Sequence, residues 1–596
     1  MNGWHILPHN VSTATPSNML FIDTETAQHG TDDPLVTAHT FRLGVMCHIY
    51  RHGEDRWSER WATARSVGEV WDFVKSCVRP KSKLWVFAHN WNFDFFVING
   101  FEMLRRSGFT LKHFIFDSNI FIVSAELGGG KVVFVDTFNY VRSSLERIGE
   151  FVGLEKLKVD FGKVGDQELE MYCKRDVEII VRFMTKLVDF VKENDLGKFA
   201  YTISGQAFTA FRHRFMKDKI YIHNHAQARD LERRSYRGGR CECFRLGEFK
   251  GERFYKLDVN SMYGWAMSSH EYPAKLVTVC RSPTLHGLKR AMDDYLVIAD
   301  VKIKVEGPAI AAKKTKLLFP VGTFRAVLTS PEIEWVLERG RVLEVYSYVM
   351  YEKRRIFADY VKHFYALKRR HKADPTRISY ELCKLFLNGL YGKFGQRNQQ
   401  FKRVGRAPDM SDGVYQEVNG ETGETLTYWI VGGEEWVTVG DLPARHNFTA
   451  VASFTTAYAR MYLWRLIERA GVENVYYVDT DSLIVNERGH RNLLRYVDEV
   501  ELGKLKVEKI ADLLRIDGAK RYLFGEEFKC KGVSSKAKKL DENTFVQDQF
   551  LKSRSLLRRG ITDHVLVRSQ TKVLRSKYDK GVVLPDGRVV PFTFSE

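Results

Sequence analysis

The segment Val475-Tyr-Tyr-Val-Asp479-Thr-Asp481-Ser-Leu-Ile-Val485 constrains the possible folds of this chain more than any other. Two apolar runs flank an acidic tripeptide, which predicts strand, tight turn, strand, with Asp479 and Asp481 at the tip. A hairpin tip that simply uses Asp at turn positions accounts for any one such tripeptide. A second acid changes the reading: Asp258 ends the apolar run Phe254-Tyr-Lys-Leu and precedes the turn Val259-Asn-Ser-Met-Tyr263. Taken alone it would be an ordinary strand end with an N-capping Asp. Together, a strand-end acid and an acidic hairpin can hold two divalent cations for in-line attack on a phosphate.

A second acidic constellation lies in the first 180 residues. Phe21-Ile-Asp23-Thr-Glu25 places two carboxylates at i and i+2 after an apolar strand, on one face. Such a pair repels unless a hard cation bridges it, and Mg²⁺ with oxygen ligands fits. Asn90-Trp-Asn-Phe93-Asp94 adds an amide, an aromatic ring and an acid, and Tyr172-Cys-Lys-Arg-Asp176 sets a phenol and a carboxylate on one helix face. Four acids and a tyrosine can hold two Mg²⁺ and orient a water, while Asn90 and Phe93 suit a frayed single strand.

Between the two halves of the later constellation runs Lys384-Leu-Phe-Leu-Asn388-Gly-Leu-Tyr391-Gly-Lys393, whose Lys384, Asn388 and Tyr391 share a helical stripe. A cation, an amide and a ring in that order could meet triphosphate, base and nascent pair; an ordinary amphipathic helix is the rival account. Lys372, in a basic helical pattern over 352–372, is a second candidate phosphate ligand. The net charge of +18 over 596 residues is consistent with a polyanionic partner. Residues 501–596 alone carry 21 Lys/Arg against 13 Asp/Glu. Apolar runs are too short for a membrane span, the polar start lacks a signal-peptide core, and the eight scattered cysteines form no CxxC pair. These features predict no membrane association, no zinc site and a reducing compartment.

The first 200 residues read as α/β, with a helix over 166–193. A turn-rich hinge is expected at 234–253. The polar, Gly-rich run 396–445 predicts a β-hairpin excursion, 450–470 a helix, and Leu584-Pro-Asp-Gly-Arg588 a closing hairpin.

The ordered segments DxE, NxxFD and YxxxD resemble DEDDy 3′→5′ exonucleases, and DxxSMY, KxxxNGxYG and YxDTDS resemble motifs A, B and C of family B DNA polymerases. Tyr236-Arg237-Gly238-Gly239 resembles the YxGG loop that handles template. Thr456-Ala-Tyr-Ala-Arg460 and Lys520-Arg-Tyr522 resemble the TxxAR and KxY motifs that grip primer. The short chain resembles the protein-primed branch of small phages and linear plasmids. The resemblance implies an α/β and α+β multidomain fold: a ribonuclease H-like exonuclease, then a right-hand polymerase of palm, fingers and small thumb with two insertions. The implied divisions are an exonuclease at 1–200, and a linker with the YxGG loop and first palm part at 201–302. Insertion 1, the priming-protein region, follows at 303–360, with fingers at 361–396 and insertion 2, for strand displacement and processivity, at 397–445. Palm at 446–554 and thumb at 555–596 complete the chain.

It further implies a replicative DNA-directed DNA polymerase with proofreading, using dNTPs and two Mg²⁺ per active site, or Mn²⁺. Asp23, Glu25, Asp94 and Asp176 would ligate metal at the nuclease site, with Tyr172 orienting water. Asp258 and Asp481 would do so at the polymerase site, assisted by Asp479 and the Val259 carbonyl. Tyr263 would stack under the sugar, and Lys384 and Lys372 would hold the triphosphate. Exonuclease Lys158, Thr26, Thr137 and Phe138 match by approximate position. Gly264 and Gly389 depart from the common proline and serine. Implied partners are primer–template, single-stranded DNA and a terminal protein, the chain being a monomer or a heterodimer with that protein. The expected location is the cytoplasm of a host, or an organelle for a linear plasmid. An RNA-primed or primer-independent polymerase, a scaffold that has lost catalysis, and a nuclease with an accessory domain remain as rivals.

Overall fold

The computed structural model describes residues 4–53, 56–117, 120–374, 376–418, 420–421, 423, 425–534, 536–574 and 577–595. Mixed sheets and helices build several packed units, as the α/β and α+β patterning predicts. Strand Asn18–Gly30 lies parallel to Lys83–Ala88, which lies parallel to Gly130–Asp136. Their paired segments 19–22, 84–88 and 132–135 are apolar and buried, as expected where parallel strands lie at the centre of a mixed sheet covered on both faces. Helix Asp166–Glu193, with the bounds expected, buries Leu169, Cys173, Val177 and Ile180 against it.

The seven-stranded second sheet runs, in order, Cys241–Cys243, Val475–Asp479, Ser482–Asn486, Gly247–Val259, Leu505–Gly518, Arg521–Phe524 and Glu527–Cys530. Residues 247–253, expected in a hinge, are the start of its long central strand. The Gly- and Arg-rich local signal is overridden by pairing with 513–516, and a register shift between Lys250 and Phe254 absorbs the irregularity. Helix Thr449–Ala470 is buried along most of its length.

A third sheet joins Tyr272–Cys280, Gly340–Arg354, Leu296–Val305, Val321–Thr329 and the C-terminal Thr593–Ser595. The expected insertion boundary at 303 therefore falls inside a strand whose Ile303 pairs with Phe324 on one side and Val342 on the other. A boundary there would cut a ladder, so the unit runs over 272–354. The expected basic helix at 352–372 is confined to Ala358–Arg370, because Glu352–Arg354 still belongs to this sheet. It packs antiparallel to Ile378–Gly389, with Phe364 stacked on Phe386 at 4.7 Å.

Residues 397–443 form a four-stranded antiparallel sheet, within the excursion expected at 396–445. Its Phe401 and Trp436 sit 4.7 and 5.2 Å from Phe114 of the first unit. The C-terminal residues do not stand as the separate small unit expected at 555–596. Val565–Val573 pairs with Thr544–Phe550, and its Val565–Arg568 end extends the first sheet at Val36–His39. Short strands without a core of their own need this support. The closing hairpin pairs Val582–Val583 with Val589–Val590, as the Pro-Asp-Gly turn predicts. Among the described residues, no helix is long and apolar enough to cross a membrane.

Candidate active sites

In the first unit the pleat sends Asp23 and Glu25 to one half-buried face, while Thr24 points the other way. Thr24 donates its backbone N–H and its hydroxyl to Asp94 Oδ1, at 3.2 and 2.6 Å, which fixes the carboxylate of helix Trp91–Val97. Tyr172 and Asp176 approach from helix Asp166–Glu193. Lys156 caps the group: its ammonium bonds Asp176 Oδ2 and lies 4.1 Å from the Tyr172 ring centroid. Burial, reinforced by the neighbouring acids, pushes Asp23 well above the usual carboxylate range and Glu25 to about 8. Burial likewise raises Asp94 to about 7. Crowded, desolvated acids that favour protonation favour a divalent cation for the same reason. Asp176 Oδ1 is buried with no hydrogen-bond partner, which fits a metal ligand.

Two residues here escape the sequence reading. Lys156 occupies the place expected of Lys158, which is exposed. The irregular loop 153–165 has no periodicity from which to choose between them. Cys173 donates its thiol to Asp23 Oδ2 at 3.3 Å, and Asp23, Glu25 and Cys173 form a cluster able to hold a metal ion.

In the second sheet, Asp258 pairs in register with Ser482, and the Val259 N–H donates to the Asp481 carbonyl at 2.8 Å. Two segments more than 200 residues apart are thus stitched edge to edge. Thr480 takes φ +64° at the turn and donates its N–H to the Arg240 carbonyl at 2.6 Å. Gly239 permits this approach, since a Cβ there would lie 2.8 Å from the Thr480 methyl. Lys506 Nζ reaches Asp258 at 3.2 Å, and Lys520 Nζ reaches both Asp479 oxygens at 3.0 and 2.9 Å. Burial and then the charge of Asp258 raise Asp481 to about 7. Burial also raises Asp258, with Lys506 opposing. An open cleft of about 650 Å³ exposes Asp258, Asp479, Asp481 and Glu508 together. Glu508 carries no sequence signal of its own, because alternating charges on a strand read as a solvated face.

Tyr263 stacks on Tyr391, with ring centroids 4.5 Å apart and planes at 28°. Lys384 is half-buried beside Glu381, at 3.2 Å. The expected stripe is broken: the helix ends at Gly389 and Tyr391 opens a separate short turn. Asn388 is exposed and lines a cavity with Leu385 and Gly389 that faces Phe138 and Arg142. Lys372 is exposed beyond the end of helix Ala358–Arg370. Lys368, one turn earlier, points inward instead and donates to Ser261 Oγ at 2.9 Å.

The expected DNA contacts divide. Asn90, held at φ +81°, and Phe93 line a pocket of about 420 Å³ with Phe550. Tyr236 is half-buried and Gly238 exposed. Arg237, Thr456 and Arg460, expected as DNA contacts, are buried. Thr456 bonds the carbonyls of its own helix. Arg460 braces the loop from within, donating to the carbonyls of Arg237 and Gly238 at 2.8 and 3.1 Å and to Glu332 at 2.8 Å. Lys520 holds Asp479, and Tyr522 is 6% exposed, packed on Tyr477.

A family model described as DNA polymerase type B, organellar and viral, matches residues 158–411. A probable DNA polymerase of Ascobolus immersus is 24% identical over 414 residues, covering 66% of this chain and 33% of that protein. The DNA-directed DNA polymerase of Enterobacteria phage PRD1 is 24% identical over 404 residues, covering 65% of this chain and 66% of that protein. The chain thus spans about a third of the length of the first curated relative it matches. Phi29 DNA polymerase complexed with single-stranded DNA superposes with a TM-score of 0.68 at 18% identity, covering 94% of this chain and 100% of that one. Its complex with primer-template DNA gives a TM-score of 0.66.

Proposed function

We propose, from a chain that shares the fold of phi29 DNA polymerase and resembles type B polymerases of viruses and organelles, a DNA-directed DNA polymerase with a 3′→5′ exonuclease. The observation that carries it is the in-register pairing that sets Asp258 beside the Asp479–Asp481 turn in one open cleft. Asp258, Asp481, Asp479 and the Val259 carbonyl would hold the metals of synthesis, and Asp23, Glu25, Asp94 and Asp176 those of digestion. Bound Mg²⁺ would supply activation of the attacking oxygen and charge neutralisation at the phosphorus.

The chain's own groups position the reactants. The Tyr263–Tyr391 stack walls the sugar and base side of an incoming dNTP. Lys384 and Lys368 stand where the triphosphate charge would accumulate. Lys506 beside Asp258 and Lys520 beside Asp479 offset part of the negative charge that crowds these acids. In the first unit Tyr172, under the Lys156 ammonium, orients a water, and Phe93 offers a frayed 3′ end a stacking face. The units we assign to these roles follow the sheets. Residues 272–354 are a candidate dock for a priming protein, and 397–443 a candidate strand-displacement wall.

The test is separation of the two activities. Asp258→Ala and Asp481→Ala should abolish synthesis and leave digestion of single strands; Asp23→Ala with Glu25→Ala should do the reverse. Synthesis surviving in the Asp258 variant refutes the assignment. Protein priming is tested by transfer of labelled dAMP onto a co-expressed priming protein. DNA extension without such transfer refutes that part.

A further inference from the structure

Among the described residues, only one group brings three potential ligand atoms within 4.8 Å of one another: a carboxylate oxygen of Asp23, one of Glu25 and the Cys173 sulfur. The acids of the second sheet have no sulfur so placed. Cys241 stops 3.4 Å from the Tyr477 hydroxyl, which itself stands 3.4 Å from Asp479. Helix Asp166–Glu193 carries Cys173 and Asp176 three residues apart, so both face the strand that holds Asp23 and Glu25. Cys173 is wholly buried, and its thiol meets the carbonyl and Oδ2 of Asp23, each at 3.3 Å. A buried cysteine is ordinarily a small apolar filler. Such a filler has no need of a carboxylate, whereas Cys173 is set against one. Asp176 points the same way independently. It is 4% exposed, its Oδ1 is buried without a hydrogen-bond partner, and its charge acts on Asp23 and Glu25 more strongly than that of any other neighbour. A buried carboxylate oxygen without a donor, facing two further carboxylates, calls for a cation.

We propose that Asp23, Glu25 and Cys173 bind a thiophilic divalent cation, Zn²⁺ or Cd²⁺, in place of Mg²⁺, and that this ion silences digestion while synthesis continues. The proposal rests on the reading of the first unit as a Mg²⁺-dependent nuclease. Oxygen ligands suit Mg²⁺, which demands near-octahedral geometry, whereas a thiolate selects softer ions that accept four ligands. On binding, the Sγ–H bond breaks, its proton leaves to the buffer, and a sulfur lone pair forms the bond to the ion. An ion held toward Cys173 draws Asp23 and Glu25 out of the arrangement that activates a water for phosphodiester attack. The second sheet offers such an ion no sulfur, so synthesis is spared. No CxxC pair is involved, because the fold brings together residues 150 positions apart.

The test compares the full chain with Cys173→Ser, which keeps a hydroxyl donor in nearly the same volume, and with Asp23→Ala combined with Glu25→Ala. Titration with Cd²⁺ alone is followed by the ultraviolet charge-transfer band of the cadmium–thiolate bond. The wild-type chain should show a saturable component that both variants lack. In Mg²⁺, digestion of a single-stranded oligonucleotide should stop at Cd²⁺ concentrations that leave primer extension running. Cys173→Ser should raise the half-inhibitory Cd²⁺ concentration at least about tenfold relative to the half-activating Mg²⁺ concentration. Primer extension by each variant reports that the fold is retained. An equal band and equal inhibition in wild type and Cys173→Ser overturn the proposal. So does a band that needs Cys173 but neither carboxylate, which marks a thiol acting alone, and so does loss of synthesis and digestion at the same Cd²⁺ concentration. Absence of wild-type digestion in Mg²⁺ refutes the nuclease reading, while a band that needs Cys173 and the two carboxylates still supports the soft-metal site.

Discussion

Arg460→Met asks whether the buried arginine of helix Thr449–Ala470 is a strut or a DNA ligand. The Arg460–Glu332 pair is 1% exposed on both sides at 2.8 Å, and the same guanidinium satisfies the carbonyls of Arg237 and Gly238. Removing one partner of a buried pair typically costs about 3–5 kcal/mol. Here Glu332 keeps the Thr329 N–H and hydroxyl at 3.0 and 2.9 Å, and methionine keeps most of the volume. The expected loss is therefore at the lower end, about 3 kcal/mol. Burial alone would raise the Glu332 carboxyl, but Arg460 and then Arg237 hold it below its usual value. In the variant that hold weakens, Glu332 takes a proton more readily, and the loss should shrink as pH falls toward 5. Urea denaturation and hydrogen exchange over 236–239 and 329–336 measure the stability. The salt slope of duplex binding measures the alternative, because a phosphate ligand would lower it by about 0.9. Wild-type stability with a slope reduced by about one would refute the strut.

Three further outcomes are expected. Lys368→Ala should raise the dNTP KM at least about tenfold, a loss of one charge-assisted phosphate contact of about 1.4 kcal/mol, with Lys372→Ala close to wild type; the reverse ranking in steady-state kinetics refutes the inward lysine. His48 is buried against Asn18 at 2.7 Å, and desolvation, then Arg60 and Arg79, lowers it to about 4. A lowered histidine contributes stability that is complete above about pH 6.5 and is lost as pH falls toward 4, so the His48 component alone should fall by about 2 kcal/mol between pH 7.5 and 5, opposite in sign to the raised acids of the same unit. His48→Gln should flatten that component in urea titrations, and an unchanged pH dependence would refute it. Gly264 sits within helix Met262–Ser269, and a Cβ there meets nothing closer than 3.5 Å. Gly264→Ala should stabilise by about 0.5–1 kcal/mol, and a destabilised variant in the same titration would show hidden crowding.

The residues that local patterning could place are those whose position follows from period alone. Asp23 and Glu25 share a strand face because side chains alternate, and the 166–193 helix emerges at its full length from its apolar stripe. The 479–481 turn is legible because apolar runs bound it on both sides. What the tertiary structure decided concerns partners distant in sequence. Lys156 rather than Lys158, and Lys368 rather than Lys372, face the acids because a loop conformation and a helix end set their direction. Arg237 and Arg460 look like surface cations in sequence, yet packing of helix Thr449–Ala470 against Ser330–Arg339 and the 235–240 loop encloses them. The strand at 247–253 and the docking of Val565–Val573 on the first sheet depend on hydrogen bonds to segments hundreds of residues away. Sequence thus determined which acids could meet a metal, because that needs only strand alternation and a tight turn. The fold alone decided which cations stand beside them and which are walled in, because burial is set by non-local packing that no single window of sequence contains.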